Sequence, residues 1–202
     1  MSIVDYPSLQ ASLASWLHRS DLTAQIPDFV MLAEMKLNGD LDARAMDTVV
    51  TLPTVAGTSY ATLPTDMMEM RRLVNPGCAP LEYVSPDQFS VEYGDCWLRT
   101  PRLFTVIGGR IQFAPTPDAV YLLELTYKQR IPPLSTTNPT NWLITSYPNA
   151  YLWGALVSAQ PWLASDDRLG TFQALYKEAV AQINKIDWCS GTTLVMRTDR
   201  RG

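Results

Sequence analysis

The chain has 202 residues, 47% hydrophobic and 18% charged, a composition typical of one large globular domain or two small ones with a buried core. No uncharged apolar run reaches the roughly 18 residues that a membrane-spanning helix needs, and the early Asp5, without a basic start before an apolar run, argues against a secretory signal. The net charge of −4 argues against a protein that reads nucleic-acid sequence, because phosphate contacts need a basic surface.

The first fifty residues predict two amphipathic helices. The first starts at Pro7-Ser8, and four apolar residues at helical spacing form its stripe: Leu9, Leu13, Trp16 and Leu17. The second follows a cap at Thr23 or Ser20 and carries Pro27 in its first turn. Its predicted stripe consists of Phe29, Leu32, Met35 and Leu37.

From Thr48 to about residue 130 the apolar period changes to two, which predicts an antiparallel β unit of about six strands with one solvated face. Residues 49–55 and 59–64 flank a short turn and predict a hairpin. The clearest local signal is a pair of alternating runs joined by Gly108-Gly109, a two-residue loop that requires positive φ.

Residues 131–141 contain three prolines together with Ser, Thr and Asn, and this composition predicts a linker. A third helix then starts at Tyr147-Pro148 and ends or kinks at Pro161, which removes a backbone donor. A fourth helix follows a cap at Ser165 or Asp166. Its stripe consists of Leu169, Phe172, Tyr176, Ala179, Ile183 and Ile186.

The predicted fold class is α+β. Residues 1–47 and 141–189 supply an N-terminal and a C-terminal helix pair that pack together as a helical bundle. Residues 48–140 form an inserted antiparallel β domain that includes the Pro-rich linker, and residues 190–202 form a C-terminal tail.

Side chains suited to catalysis or metal binding are few. The single histidine, His18, stands at the predicted end of the first helix without a nucleophile motif, which indicates a surface residue. Three cysteines without CxxC spacing are typical of reduced, inert thiols: Cys78, Cys96 and Cys189. No phosphate loop, dinucleotide motif or metal-ligand spacing occurs, so we expect neither a cofactor nor a metal.

Asp166 and Asp167 are the best carboxylate pair that the sequence offers. Neighbouring positions on a helix project about 100° apart, so the two carboxylates do not face one site unless the backbone turns there. Their position after Ser165 favours a helix start, with the carboxylates near the positive end of the helix dipole. We therefore expect no catalytic residues here.

The chain as a whole resembles the head-to-tail adaptor (connector) proteins of tailed bacteriophages, over roughly residues 3–187 in order. "TLPTDMMEMRRL", "LEYVSP" and "YLLELTYKQRIPPLS" carry part of the resemblance, followed by "NWLITSYPNAYLWGALVSAQPWLASDDR". The remaining segments that carry it are 6–46 and 172–183.

The resemblance implies a structural, non-enzymatic virion protein that forms a ring of twelve copies directly beneath the portal. Such a ring extends the portal's channel, through which double-stranded DNA passes without sequence-specific binding. It also presents a docking face for the tail nozzle or the next connector. The implied location is the head–tail junction of the virion, after synthesis in the host cytoplasm, with no membrane partner.

A ring subunit contacts two neighbours, and Trp and Tyr dominate the energetics of such interfaces. We therefore expect Trp153 and Trp162 to act as anchors, in subunit contacts or in the core. The other residues expected to contact a neighbouring subunit or the portal are Asp166, Asp167, Arg168, Met196, Arg197, Arg200 and Arg201. The basic, unpatterned residues 192–202 are expected to become ordered on the portal during assembly, the alternative being a terminus without a role.

Two other classes of function remain open from the sequence. A small peptidoglycan hydrolase of the tail would depend on Asp166 or Asp167. An assembly chaperone would leave before the particle matures and would be absent from finished virions.

Overall fold

A computed structural model describes residues 2–18, 21–92, 98–162 and 169–189. The chain contains both helices and sheets and divides into two compact units. One unit, here the helical unit, takes its described residues from Met1–Ala45 and Ile131–Gly202, and the other, the β unit, is Met46–Arg130. The linker at 131–140, predicted as part of the β domain, therefore belongs with the helices.

The described residues form six α-helices: α1 Tyr6–Leu17, α2 Ile26–Asp40, α3 Pro86–Glu92, α4 Trp142–Ser146, α5 Pro148–Ser158 and α6 Leu169–Cys189. A capping box fixes the start of α1, because the Asp5 carboxylate accepts from the Ser8 backbone N–H at 2.9 Å and the Ser8 hydroxyl accepts from the Asp5 N–H at 3.0 Å. His18 ends α1 in the left-handed region, at φ 51°. Among these helices, none combines the length and apolar character that a membrane crossing requires.

Helix α5 lies at the centre of the helical unit and contacts α1, α2, α4 and α6. Gly154 permits this packing, since a Cβ atom there would lie 3.2 Å from the Ala33 Cβ and 3.3 Å from the Tyr176 ring. The predicted start of the third helix at Pro148 is confirmed. Pro161 lies in a short 3-10 turn, Gln160–Trp162, after α5 has ended.

The buried face of α2 differs from the predicted stripe. Phe29 and Leu37 are buried as expected, but Leu32 and Met35 are exposed by 45% and 66%. The face that is buried instead consists of Ile26, Phe29, Val30, Ala33, Glu34, Leu37 and Asn38. Two polar side chains, Glu34 and Asn38, therefore occupy the core side of α2 and interrupt its apolar stripe.

The β unit contains two sheets built from seven strands of the described residues: β1 Asp47–Pro53, β2 Tyr60–Thr62, β3 Met67–Val74, β4 Glu82–Tyr83, β5 Leu103–Ile107, β6 Arg110–Ala114 and β7 Leu122–Gln129. The first sheet has the order β1-β7-β3 and the second β2-β6-β5-β4. The β5–β6 hairpin at Gly108-Gly109 is confirmed, with φ values of 57° and 75°.

Two predictions about the β unit are wrong. The β1 and β2 segments do not form a hairpin, since β1 pairs with β7 and β2 with β6. The unit is also not purely antiparallel, because the two-residue β4 pairs with β5 in parallel. Side chains from both sheets share one apolar cluster: Leu63, Leu73, Leu81, Phe104, Ile111, Phe113, Leu123, Leu125 and Tyr127.

Candidate interaction surfaces

An aromatic cluster joins α1, α5 and α6 of the helical unit. The Trp153 ring lies edge-on to the Trp16 ring, with centroids 5.4 Å apart, and stacks on the Phe172 ring at 6.0 Å. Trp16 remains 42% exposed, whereas Phe172 is buried. Trp153 therefore has partners within its own chain and contributes to the packing of these helices.

An exposed apolar surface runs along α2. Met31, Leu32 and Met35 are exposed by 53%, 45% and 66%, and their spacing places them on neighbouring positions of one helix face. The ring of Trp162 lies against the ring of Phe29, which precedes Leu32 by about one turn of α2. Trp162 is 52% exposed. We call Met31, Leu32, Met35 and Trp162 the α2 outer surface.

The opposite side of α2 carries a buried polar network. The Glu34 Oε1 atom accepts from the Leu134 backbone N–H at 2.7 Å and from the Tyr151 hydroxyl at 3.2 Å. The Asn141 side chain donates to the Tyr151 hydroxyl at 2.7 Å and to the Pro132 carbonyl at 2.8 Å. These bonds connect Leu134 of the 131–141 linker to Glu34 of α2, and Asn141 at the end of the linker to Tyr151 of α5. The network therefore holds the linker against α2 and α5.

Asn38 extends the network by accepting from the Ile131 N–H at 2.8 Å and donating to the Glu34 carbonyl at 2.8 Å. We call Glu34, Asn38, Asn141 and Tyr151 the linker network. Burial raises the pKa of Glu34, against a smaller opposing effect from the Leu134 N–H. Burial likewise raises the pKa of the Tyr151 hydroxyl, which therefore stays a donor to Glu34.

A second polar contact joins the end of α2 to α6. The Tyr176 hydroxyl donates to the Asp40 carboxylate at 2.8 Å, and the Lys36 ammonium lies 4.4 Å from the centre of the Tyr176 ring. Asn184 donates to the Asp40 carbonyl at 3.1 Å and accepts from the Asp42 N–H at 3.0 Å. These bonds fix the orientation of α2, and with it the direction of the α2 outer surface.

Grooves on the β unit offer little acid–base chemistry. One is lined by Arg71, Arg72 and apolar side chains that include Tyr83 and Phe104, without a carboxylate. In another, Glu82 is the only carboxylate among the described lining residues, which also include Arg99 and Arg102. Within the described part of the chain, no group of three or more His, Cys, Asp or Glu side chains is placed to hold a metal ion. Among the described residues that line these two grooves, there is no pair of carboxylates of the kind that a glycoside hydrolase uses.

Most of the predicted interface residues lie outside the described residues: Asp166, Asp167, Arg168, Met196, Arg197, Arg200 and Arg201. Of the two predicted anchors, Trp153 packs within its own chain and Trp162 is exposed.

The sequence prediction missed Met31, Leu32 and Met35 as an exposed group, because it placed Leu32 and Met35 in the core. The alternative period formed by Ile26, Val30, Ala33 and Leu37 was a visible signal for this face.

No curated protein matches the chain at a significant level. The family described as SU10 adaptor protein matches residues 4–199, which is nearly the whole chain and includes both units. The family is structural rather than catalytic. The chain therefore belongs to the SU10 adaptor protein family and is a bacteriophage adaptor.

Proposed function

We propose that this protein forms a ring of twelve copies beneath the portal, attaches to it, extends the DNA channel and provides the docking site for the tail. The observation that carries this proposal is the match to a phage adaptor family over residues 4–199. The helical unit acts as a bundle that supplies the ring's scaffold. The protein is a virion component at the head–tail junction, made in the host cytoplasm.

The α2 outer surface supports an assembly role. Met31, Leu32 and Met35 expose apolar side chains on one face of this helix, and the exposed Trp162, from the turn after α5, lies against Phe29 of the same helix. Exposed apolar groups of this kind mark interaction sites. Tryptophan is also enriched among the residues that dominate interface energetics. A closed ring uses a heterologous contact, in which two different surfaces of each copy meet. We assign the α2 outer surface to one side of that contact.

The residues outside the described ranges belong to the same proposal. Asp166, Asp167 and Arg168 follow Trp162 closely in the chain and are assigned to the contact with a neighbouring copy. Met196, Arg197, Arg200 and Arg201 are assigned to a neighbouring copy or to the portal. The net charge of −4 suits a channel through which DNA passes without being held, since a basic wall would retain phosphates.

Electron microscopy of the protein mixed with its portal tests the proposal directly. We expect class averages with a twelve-fold disc on the portal. The absence of association, with the free protein also failing to oligomerise, would contradict the proposal. Mass spectrometry of purified virions adds an independent check, because a transient assembly chaperone would be absent from them.

A pair of substitutions tests the role of the α2 outer surface. Met35→Lys places a charge at the most exposed of its three aliphatic positions, and we expect about a ten-fold loss of assembly, as for the loss of an interface hot spot. Gln182→Lys, at an exposed position of α6, is the matched control and should leave assembly unchanged. Sedimentation with and without the portal measures both variants, and equal behaviour of the two would remove this surface from the interface.

A further inference from the structure

The four strands at the sheet edges of the β unit differ in how well they are protected from pairing with another chain. In the second sheet, the edge strands β2 and β4 have only three and two residues. In the first sheet, β3 carries two register shifts and the charged residues Glu69, Arg71 and Arg72. Short length, bulges and charge are the features by which proteins prevent edge-to-edge association.

Strand β1 lacks these protections over residues 48–52, between Asp47 at its start and Pro53 at its end. It has seven residues, pairs with β7 in an unbroken register, and carries no charge between Asp47 and Pro53. Among the described residues, only β7 pairs with it. Val49 and Thr51 are exposed, Val49 by 60%, while Val50 and Leu52 pack against the apolar cluster.

A hydrogen bond just beyond the end of β1 shows which of its backbone groups face β7 and which face the open edge. The Thr54 N–H donates to the Tyr121 carbonyl at 2.9 Å, in the same register as the β1–β7 pairs. Because hydrogen-bonded residues alternate along an antiparallel pair, Thr48, Val50 and Leu52 bond to β7. The N–H and C=O groups of Val49 and Thr51 therefore point to the open edge, where an extended backbone can bond to them.

The described part of the chain contains no second edge that matches β1. Residues 190–202, which lie outside it, read SGTTLVMRTDRRG and contain the uncharged run Thr192–Met196, rich in residues that favour strands. The three arginines and one aspartate of this segment give it a charge of +2, while residues 1–189 carry −6. The segment thus combines strand-forming residues with a charge opposite to that of the rest of the protein.

We propose that residues 192–196 of one copy bind as an added strand to the β1 edge of a neighbouring copy. The inference rests on the proposed ring and assigns one of its contacts. An antiparallel strand places Arg197 at the Asp47 end of β1, where the Asp47 carboxylate lies 3.5 Å from Arg71 and remains 41% exposed. Backbone bonds to Val49 and Thr51 supply the affinity, and the exposed Val49 side chain supplies a contact for the alternate residues of the strand.

Cross-linking between full-length copies tests the contact. In a background with Cys78, Cys96 and Cys189 replaced by serine, one tagged chain carries Val49→Cys and a second, differently tagged chain carries Val195→Cys. A short thiol-specific cross-linker, added to the mixture with the portal present, should join the two tags. The matched control pairs Met68→Cys, on the protected β3 strand, with Val195→Cys and should give no product.

The outcomes separate this inference from the proposed ring. Assembly without a product from the Val49 and Val195 variants, or a product between Val195→Cys and the portal, overturns the added strand and leaves the ring intact. A cross-link within one unassembled chain that carries both cysteines also overturns it. Failure of the unsubstituted chain to assemble with or without the portal overturns the proposed function itself.

A second pair of variants measures what the edge contributes to assembly. Val49→Lys should raise the concentration needed for assembly about ten-fold, because the added strand would place Arg197 near the new charge. Met68→Lys, an exposed apolar residue on the other edge strand of the same sheet, should have no such effect. Circular dichroism confirms that both variants fold, and an equal loss of assembly by both would overturn the inference.

Discussion

Apolar side chains fill the core of both units, but the two units differ in the interactions that accompany this packing. The helical unit buries Glu34, Asn38 and Asn141 and bonds each of them to the backbone of the linker or of a helix. The β unit is built around an apolar cluster of nine residues from both sheets. The contrast shows that directional bonds position a linker that has no regular structure, whereas strands already bonded to one another need mainly apolar contact. Substitutions that affect one kind of contact should therefore have effects confined to one unit.

The largest effect is expected from Phe113→Ala in the apolar cluster. Phe113 is 1% exposed, and truncation of a buried phenylalanine costs about 3–5 kcal/mol through lost burial and the cavity left behind. Hydrogen exchange should show loss of protection in β5, β6 and β7, while the Ile131 and Leu134 amides of the helical unit keep theirs. An equal loss of protection in both units would show that the effect of this substitution is not confined to the β unit.

A smaller loss is expected from Tyr151→Phe in the linker network. The Tyr151 hydroxyl donates to Glu34 and accepts from Asn141, and its removal leaves buried polar groups short of a partner, at a cost of about 1–3 kcal/mol. Chemical denaturation gives the change in the free energy of unfolding. Hydrogen exchange should place the loss at the Leu134 and Ile131 amides. The matched control is Tyr147→Phe, outside the network, with little expected effect.

At one position of the β unit, removal of a polar group should increase the stability of the fold. Thr105 in β5 is fully buried, and its hydroxyl is the one buried side-chain oxygen or nitrogen of the described residues without a hydrogen-bond partner. Thr105→Val should raise the free energy of unfolding by up to about 1 kcal/mol, because it removes an unsatisfied group at nearly constant shape.

Thr54→Val is the matched control for this substitution. The Thr54 side chain is also buried, but it donates to the Ala119 carbonyl at 3.1 Å and accepts from the Tyr121 N–H at 2.9 Å. The same chemical change should therefore lower stability at this position. Thermal denaturation of the two variants should give shifts of opposite sign, and shifts of the same sign would refute the assignment of Thr105.

The smallest expected effect is a pH dependence of the folding stability that is caused by Glu34. Because its pKa in the folded protein is raised above the ordinary glutamate value of about 4.3, the folded state holds a proton that the unfolded state has lost. The stability from this group is present below the unfolded pKa and is lost as pH rises through the folded pKa. Glu34→Gln keeps the accepting oxygen and does not titrate, so its stability relative to the unsubstituted protein should rise over that window. Denaturation at a series of pH values measures this difference, and a flat difference would show that the pKa of Glu34 is the same in the folded and unfolded states.

Local features of the fold were predictable from the sequence, and distant pairings were not. Gly108-Gly109 dictates its hairpin because both glycines adopt the positive φ that the turn requires. Four residues of the predicted α6 stripe are also buried as expected, because they recur at helical spacing on one face: Phe172, Tyr176, Ala179 and Ile183. The partner of β1 lies about seventy to eighty residues away at β7, and no short-range pattern encodes that choice.

The interaction surfaces illustrate the same limit. Leu32 and Met35 look like core residues in the sequence, and the core position of Glu34 becomes apparent only when the Leu134 amide and Tyr151 are seen beside it. Trp153 lies in α5 and Trp162 in the short turn that follows it, yet Trp153 packs between two rings of its own chain and Trp162 is 52% exposed. Composition therefore indicated that aromatic contacts matter here but did not distinguish the two environments.

The pairing of Asp47 with Lys128 has a consequence for how such proteins can diversify. These residues stand at the first position of β1 and next to the last of β7, so the chain enters and leaves the inserted unit on adjacent strands. Adjacent strands lie only about 5 Å apart, and a turn of a few residues spans that gap. The whole 46–130 segment can therefore be exchanged for another module, or shortened to a simple loop, without rerouting the polypeptide on either side.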